Sequence, residues 1–224
     1  MSDPKETWTQ VDRWYEDRLQ LNDPVLDAAL AASNAAGLPP ISVTAAQGKL
    51  LQMLVALRGA TRILEIGTLG GYSTIWMARA LPPSGWLLSL EINPEHAALA
   101  RDNIARAGLS DRVEVRVAPA AESLAALVQA GVEPFDLVFI DADKASSDAY
   151  VAFALKLSRP GTILVVDNVV RDGAITQPAP ADADIRGLQQ MLPRFADQSR
   201  IATTVIQTVG SKGYDGLLIA VVGG

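Results

Sequence analysis

An α/β fold with a doubly wound, mostly parallel sheet is predicted by three features of this chain. From residue 61 onward, short β-branched runs alternate with longer stretches of helical apolar spacing. Gly108, Gly131 and Gly161 each follow a helical stretch, where a left-handed cap is wanted. Two β-rich runs near the end, 201–209 and 214–222, are separated by Gly210-Ser-Lys-Gly213 and read as a hairpin. That hairpin places one antiparallel strand in the sheet.

Taken in order, residues 4–58 read as helices alone. The first covers 7–21 and carries Trp8, Trp14 and Tyr15; the second covers 24–36. After the break at Leu38-Pro-Pro40, the third covers 45–57. This layer would cap the sheet, form a lid or supply an oligomer contact, and its aromatic stripe reads as packing. The strands follow at 62–66, 86–90, 113–117, 135–140 and 162–166. Helices lie between them at 73–80, 94–107, 120–130 and 147–157. Runs as apolar as Leu137-Val-Phe-Ile140 and Ile163-Leu-Val-Val166 suit strands covered on both faces. Residues 175–184 are rich in Pro, Ala and Asp and are expected to form a mobile loop. No internal repeat is apparent. One domain of 224 residues is expected, with 1–58 as a helical cap or lid on a core of 59–224.

Composition excludes several classes. Hydrophobic residues make up 49% and charged residues 20%, as in a compact globule and unlike a disordered chain. A net charge of −6 disfavours long stretches of nucleic acid as partners. With no cysteine there is no disulfide, thiolate zinc site or cysteine nucleophile, which fits a cytoplasmic protein. Met1-Ser-Asp-Pro-Lys-Glu6 leads into no apolar core and the apolar runs are of strand length, so neither signal peptide nor membrane span is expected. His96 is the single histidine, expected on a solvated helix face. A Ser-His-Asp hydrolase or a histidine metal centre would rest on that one residue.

Function is suggested where the strands end. Ile140 runs into Asp141-Ala-Asp143-Lys144, and Val166 into Asp167-Asn168. On neighbouring parallel strands these would gather hard oxygen side chains and one ammonium around a crevice, a chemistry suited to magnesium or calcium rather than zinc. The alternative is that Asp and Asn only terminate strands. The first strand ends in Glu65-Ile-Gly67-Thr-Leu-Gly70-Gly71-Tyr-Ser73, just before a helix. Glycines there allow a sharp turn and close approach of a ligand. Glu91 closes the second strand, where an acid can bind both hydroxyls of a ribose. The loop reads G-x-x-G-G rather than G-x-G-x-x-G, and Glu65 beside it would repel a pyrophosphate. An acidic crevice of Glu65, Glu91, Asp141 and Asp143 suits a ligand with a ribose, an ammonium and a sulfonium, which is S-adenosylmethionine.

In combination, Leu64-Glu-Ile-Gly-Thr-Leu-Gly-Gly-Tyr-Ser73, Glu91, Phe139-Ile-Asp-Ala-Asp-Lys144 and Val166-Asp-Asn168 resemble the cation-dependent O-methyltransferases. That group includes catechol and caffeoyl-CoA O-methyltransferases and small bacterial relatives, and the likeness covers nearly the whole chain. It implies a Rossmann-like sheet of seven strands and methyl transfer from S-adenosylmethionine to a hydroxyl of a small catechol-like acceptor. By the resemblance, Asp141, Asp167 and Asn168 match metal ligands, for magnesium first and calcium or manganese as alternatives. Glu65, the Gly67-Thr68 backbone, Ser73, Glu91 on the ribose, Ala118 near the adenine, Asp141 and Asp143 match cofactor contacts, with Val43 as a covering position. Asp141 and Lys144 would serve catalysis, and Lys144 and Asp172 the acceptor. Arg171 and Asp172 stand where plant members have Trp and Asn, which argues against a caffeoyl-CoA-like acceptor. A homodimer is also implied. Independently of family, a lysine partly desolvated near a cation can accept a hydroxyl proton; the alternative for Lys144 is a salt bridge to Asp148 or Asp143. The rival substrate is a hydroxylated uridine in tRNA, for which Arg171, Arg186, Arg194 and Arg200 are the candidate basic surface.

Overall fold

A computed structural model describes residues 3–197 and 199–224. Three helices come first: α1 (Pro4–Leu19), α2 (Pro24–Ala35) and α3 (Ala45–Arg58). Each starts on a side-chain cap that satisfies amide groups left over by the helix. Asp3 accepts from the Lys5 N–H, Asp23 from Val25 and Leu26, and Thr44 forms a reciprocal capping box with Gln47.

The alternating region follows as β1 (Arg62–Ile66), α4 (Tyr72–Ala78), β2 (Trp86–Glu91), α5 (Pro94–Arg106), β3 (Val113–Val117), α6 (Ala120–Gln129), β4 (Phe135–Ile140), α7 (Ser147–Lys156) and β5 (Ser158–Asp167). It ends with α8 (Ala183–Met191), β6 (Ile201–Gly210) and β7 (Gly213–Val222). The seven strands lie in the order β3-β2-β1-β4-β5-β7-β6, and β7 alone runs against the others. This is the doubly wound topology expected, with its switch point between β1 and β4, where ligands bind outside the strand ends.

Successive strand residues point to opposite faces, so the sheet has two cores. Ile63, Leu87, Leu137, Phe139 and Val165 pack with α2 to α5 on one face. Leu64, Leu88, Val138, Leu164 and Val166 pack with α6 to α8 on the other. Gly48 in α3 permits this packing, since a Cβ there would lie 2.3 Å from the buried Trp76 ring.

Three expectations need correction. Gly161 has the left-handed conformation (φ +87°) but lies inside β5, not at a helix cap. β5 starts at Ser158 because Thr162 donates its hydroxyl to the Phe135 carbonyl and holds an irregular lead-in against β4. The 175–184 stretch is not a free loop: Gln189 Nε2 ties it down through the carbonyls of Ile175 and Gln177 at 2.8 and 2.7 Å, and α8 begins within it on an Asp182 cap. No helix among the described residues is long and apolar enough to cross a membrane.

At the amino end of β4, Asp136 is 1% exposed. Its Oδ2 accepts from the Thr61 N–H and hydroxyl and the Arg62 N–H, while Arg58 and Arg159 reach Oδ1. Burial would raise this acid, but the bonds from Thr61 and Arg159 hold it below the usual carboxylate range. Asp136→Ala should cost about 3 kcal/mol in urea unfolding, since buried partners lose their acceptor. Ligand affinity should be unchanged, because the site lies at the opposite end of the strands.

Candidate functional site

At the carboxyl ends of β1, β2, β4 and β5 lies a cleft of about 770 Å³, roofed by residues 39–44 and the hairpin tip. That size accommodates a nucleoside ligand and a small second molecule together. Val43, Gly67, Thr68, Ser73, Glu91, Asp141, Asp143, Lys144, Asn168 and Asp172, all singled out from the sequence, line it.

The glycine loop brings backbone against backbone. Gly67 has φ +96°, and a Cβ on it would lie 2.1 Å from the Asp141 carbonyl oxygen. Glu91 is fixed before any ligand arrives: Oε2 accepts from the Thr68 and Leu69 N–H groups at 3.2 and 2.8 Å, and Oε1 from the Asn93 N–H at 2.9 Å. His96 is part-exposed and lines the cleft, with Nδ1 3.9 Å from Glu91 Oε1.

Glu65 is fully buried and absent from the cleft wall. Ser73 donates to Oε1 at 2.6 Å, and Thr74 and Ser89 donate to Oε2 at 2.5 and 2.6 Å. The Ser89 hydroxyl is spent on Glu65, so the Thr68 hydroxyl donates to Ser89 across their 2.6 Å contact. Glu65 therefore reaches the cleft through Ser73 directly and through Ser89 to Thr68. Burial, with a smaller push from Asp141, raises it to about 7. Ala118 is also off the wall, one strand end away, where its N–H donates to the Glu91 carbonyl; Ala120 lines the cleft instead.

In the acid cluster, Lys144 is buried and donates to Asp141 Oδ1 at 2.9 Å. Neither expected alternative partner is the one Lys144 uses. Asp148 is engaged by both arms of Arg194, while Asp143 accepts from the Tyr150 hydroxyl and the Ser146 N–H. Burial would raise Asp143, but bonds from Ser146 and Tyr150 hold it below the usual range. Asp167 is 1% exposed and sits behind the wall. Its Oδ1 accepts from the Asn168 N–H at 2.7 Å, and its Oδ2 has no hydrogen-bond partner among the described residues. Burial and the Asp141 charge raise it to about 7. Asn168 turns into the cleft with φ +56°. No three His, Cys, Asp or Glu groups gather for a metal among the described residues; the expected set has two carboxylates and an amide.

Beyond β5, Arg171 and Asp172 line the cleft and both have positive φ, +54° and +53°. Asp215 Oδ1 holds that turn through the Val170 and Arg171 N–H groups. Arg171 lies 3.7 Å from Asp184, Arg194 is taken by Asp148, and Arg186 donates to the Pro180 and Ala181 carbonyls. Each of these three arginines is engaged by neighbouring groups. Gly187 in α8 lies behind the site and was not singled out by pattern: a Cβ there would lie 2.2 Å from the Lys144 carbonyl, so the glycine lets α8 seat the Lys144 turn.

The raised acids carry a pH prediction. Folded Glu65 and Asp167 keep protons that the unfolded chain releases near pH 4, so their contribution is complete below that and lost as pH rises through about 7. Asp23, Asp136, Asp143 and Asp148 are shifted downward and act only at more acid pH. The ligand-free melting temperature should therefore rise by a few degrees from about pH 8 to about pH 5.5. A flat or falling profile in chelator-treated protein would count against these assignments.

Topology and cleft together define a Rossmann-like α/β enzyme that binds a nucleoside ligand at its switch point. Residues 21–220 match the O-methyltransferase family. A catechol O-methyltransferase of Niastella koreensis is 46% identical over 220 residues, covering 97% of this chain and 98% of that protein. A catechol O-methyltransferase of Mycobacterium tuberculosis is 49% identical over 212 residues, covering 95% and 94%. The crystal structure of an O-methyltransferase from Bacillus cereus in complex with SAH superimposes with a TM-score of 0.95 at 50% identity, covering 97% of this chain and 99% of that one. The chain belongs to the O-methyltransferase family and is an S-adenosylmethionine-dependent methyltransferase. The tRNA alternative finds no support among these relatives.

Proposed function

We propose that this enzyme methylates one hydroxyl of a small catechol-like acceptor with the help of a divalent cation. The observation that carries this reading is the buried, partnerless Oδ2 of Asp167 beside Asp141. An orphaned carboxylate oxygen repelled by a second acid is costly unless a cation completes it. Asp141, Asp167 and the Asn168 amide offer hard oxygens that suit magnesium, with calcium or manganese as alternatives. Such a cation lowers the pKa of a bound hydroxyl and orients two vicinal oxygens.

The cofactor's ribose is assigned to Glu91, whose carboxylate three amides already orient. Its amino-acid end is assigned to the Gly67-Thr68 backbone, Ser73 backed by Glu65, and the Asp141 and Asp143 side, with Ala118 and Ala120 toward the adenine and Val43 above. The acceptor oxygen forms a bond to the sulfonium methyl carbon while the carbon–sulfur bond breaks, and that electron pair stays on sulfur. In-line placement supplies most of the rate enhancement. Lys144, buried on the same wall, takes the hydroxyl proton as the neutral amine, which requires that its ammonium first release a proton to solvent and give up its bond to Asp141. Asp172 contacts the acceptor's remaining edge.

In this reading the chain is one cytoplasmic domain in which 1–58 covers the cleft of 59–224. It pairs as a homodimer through the exposed Val11, Trp14, Tyr15 and Leu19 of α1, which sedimentation at micromolar concentration tests. For the substrate, labelled methyl transfer is compared between catechol and phenol with magnesium present. Transfer to catechol at least about tenfold faster is expected from two-oxygen chelation; equal rates would overturn it.

A further inference from the structure

The tip of the β6–β7 hairpin joins segments far apart in sequence. Lys212 Nζ donates to the carbonyls of Ile41 and Ser42 at 2.8 and 2.7 Å. These belong to the stretch between α2 and α3, which forms neither helix nor strand over 39–44. The neighbouring Ser211 N–H donates to Asp12 Oδ2 on α1 at 2.7 Å. Asp12, Ile41, Ser42 and Lys212 all line the cleft. Val43 follows directly, buried and facing the same space, and the Thr44–Gln47 box then fixes the start of α3.

We propose that Lys212 is a positioning residue for the cofactor, holding the 41–43 backbone down so that Val43 closes over the ligand. Asp12 supports it by fixing the hairpin tip. The inference rests on the reading of the cleft as the cofactor seat. An ammonium shared by two carbonyls makes charge-assisted bonds stronger than neutral ones. Without them the segment keeps the packing of Val43 and the Thr44–Gln47 box but is held less firmly in the empty protein, and the ligand must order more of it on binding. The cost then appears as weaker affinity and faster release, with the chemical step little altered once the cleft is filled.

The test is titration of S-adenosylhomocysteine into wild-type enzyme and the Lys212→Ala, Lys212→Arg and Asp12→Ala variants, with KM for S-adenosylmethionine and kcat measured alongside. Lys212→Ala should bind about 3- to 10-fold more weakly, with KM raised in step and kcat within about twofold. Asp12→Ala should show a smaller change in the same direction, and Lys212→Arg should restore binding, since a guanidinium can also serve two carbonyls. Wild-type affinity in Lys212→Ala overturns the proposal. So does a loss that Lys212→Arg fails to rescue and that tracks a fall in melting temperature, because that is only structural. Failure of the wild type itself to bind would instead overturn the cofactor reading of the cleft, and the positioning role with it.

Discussion

Asp167→Asn is expected to fold at least as well as the wild type and to transfer methyl groups about 10²- to 10³-fold more slowly. The two effects have one cause. A carboxylate is held 1% exposed, raised to about 7, with one oxygen lacking a partner among the described residues, which is unfavourable in the empty protein. Asparagine keeps the carbonyl that accepts from the Asn168 N–H and removes the buried charge. Near pH 8, where the acid is ionised, the variant's melting temperature in chelator should be equal or higher by a few degrees. Turnover should collapse, since an amide in place of the acid leaves the cation one charge short. Activity within about threefold of wild type would remove Asp167 from the mechanism. A marked loss of stability would show instead that the acid is structural.

Gly67→Ala is expected to cost about 3 kcal/mol of stability and most of the cofactor affinity. The residue sits at φ +96°, strained for alanine, and the added methyl would meet the Asp141 carbonyl at 2.1 Å. That atom is backbone at the switch point and cannot rotate away, so β1 and β4 must separate or the loop must shift. Either movement also displaces the Thr68 and Leu69 amides from Glu91. Affinity for S-adenosylhomocysteine should fall by more than about tenfold even where the variant is fully folded. Gly108→Ala, whose Cβ would meet nothing within 4 Å, is the control, since its strain at φ +71° affects stability alone.

The parallel core was legible because buried strands are continuous apolar runs closed by turn residues. β1, β3 and β4 fall at 62–66, 113–117 and 135–140 as expected. The start of β5 was not, since Arg159-Pro-Gly161 has no strand character and is held by the Thr162 hydroxyl on Phe135. α8 was hidden by the Pro- and Ala-rich composition before it, although Asp182 followed by Ile185, Leu188 and Met191 carries a cap and a helical stripe. The glycine loop and the acids at strand ends could be placed together because topology brings parallel strand ends to one edge. Depth could not be read this way. Glu65 in β1 and Asp167 at the end of β5 lie behind the wall, while Ser73 in the first turn of α4 and Asn168 just past β5 face the cleft, a difference of side-chain direction that residue type does not show. Lys144 bonds to Asp141 three residues before it, a local pair where Asp148 or Asp143 was the expected partner, whereas Lys212 bonding to Ile41 and Ser42 joins segments that no local spacing announces.

The measurement that bears most directly on the central claim is labelled methyl transfer to catechol as magnesium is titrated into chelator-stripped enzyme. Turnover that is absent without the cation, rises to saturation with it, and stays lost in Asp167→Asn is the predicted result. Full turnover in chelator, with the same rate in Asp167→Asn, would contradict the cation-clamped mechanism.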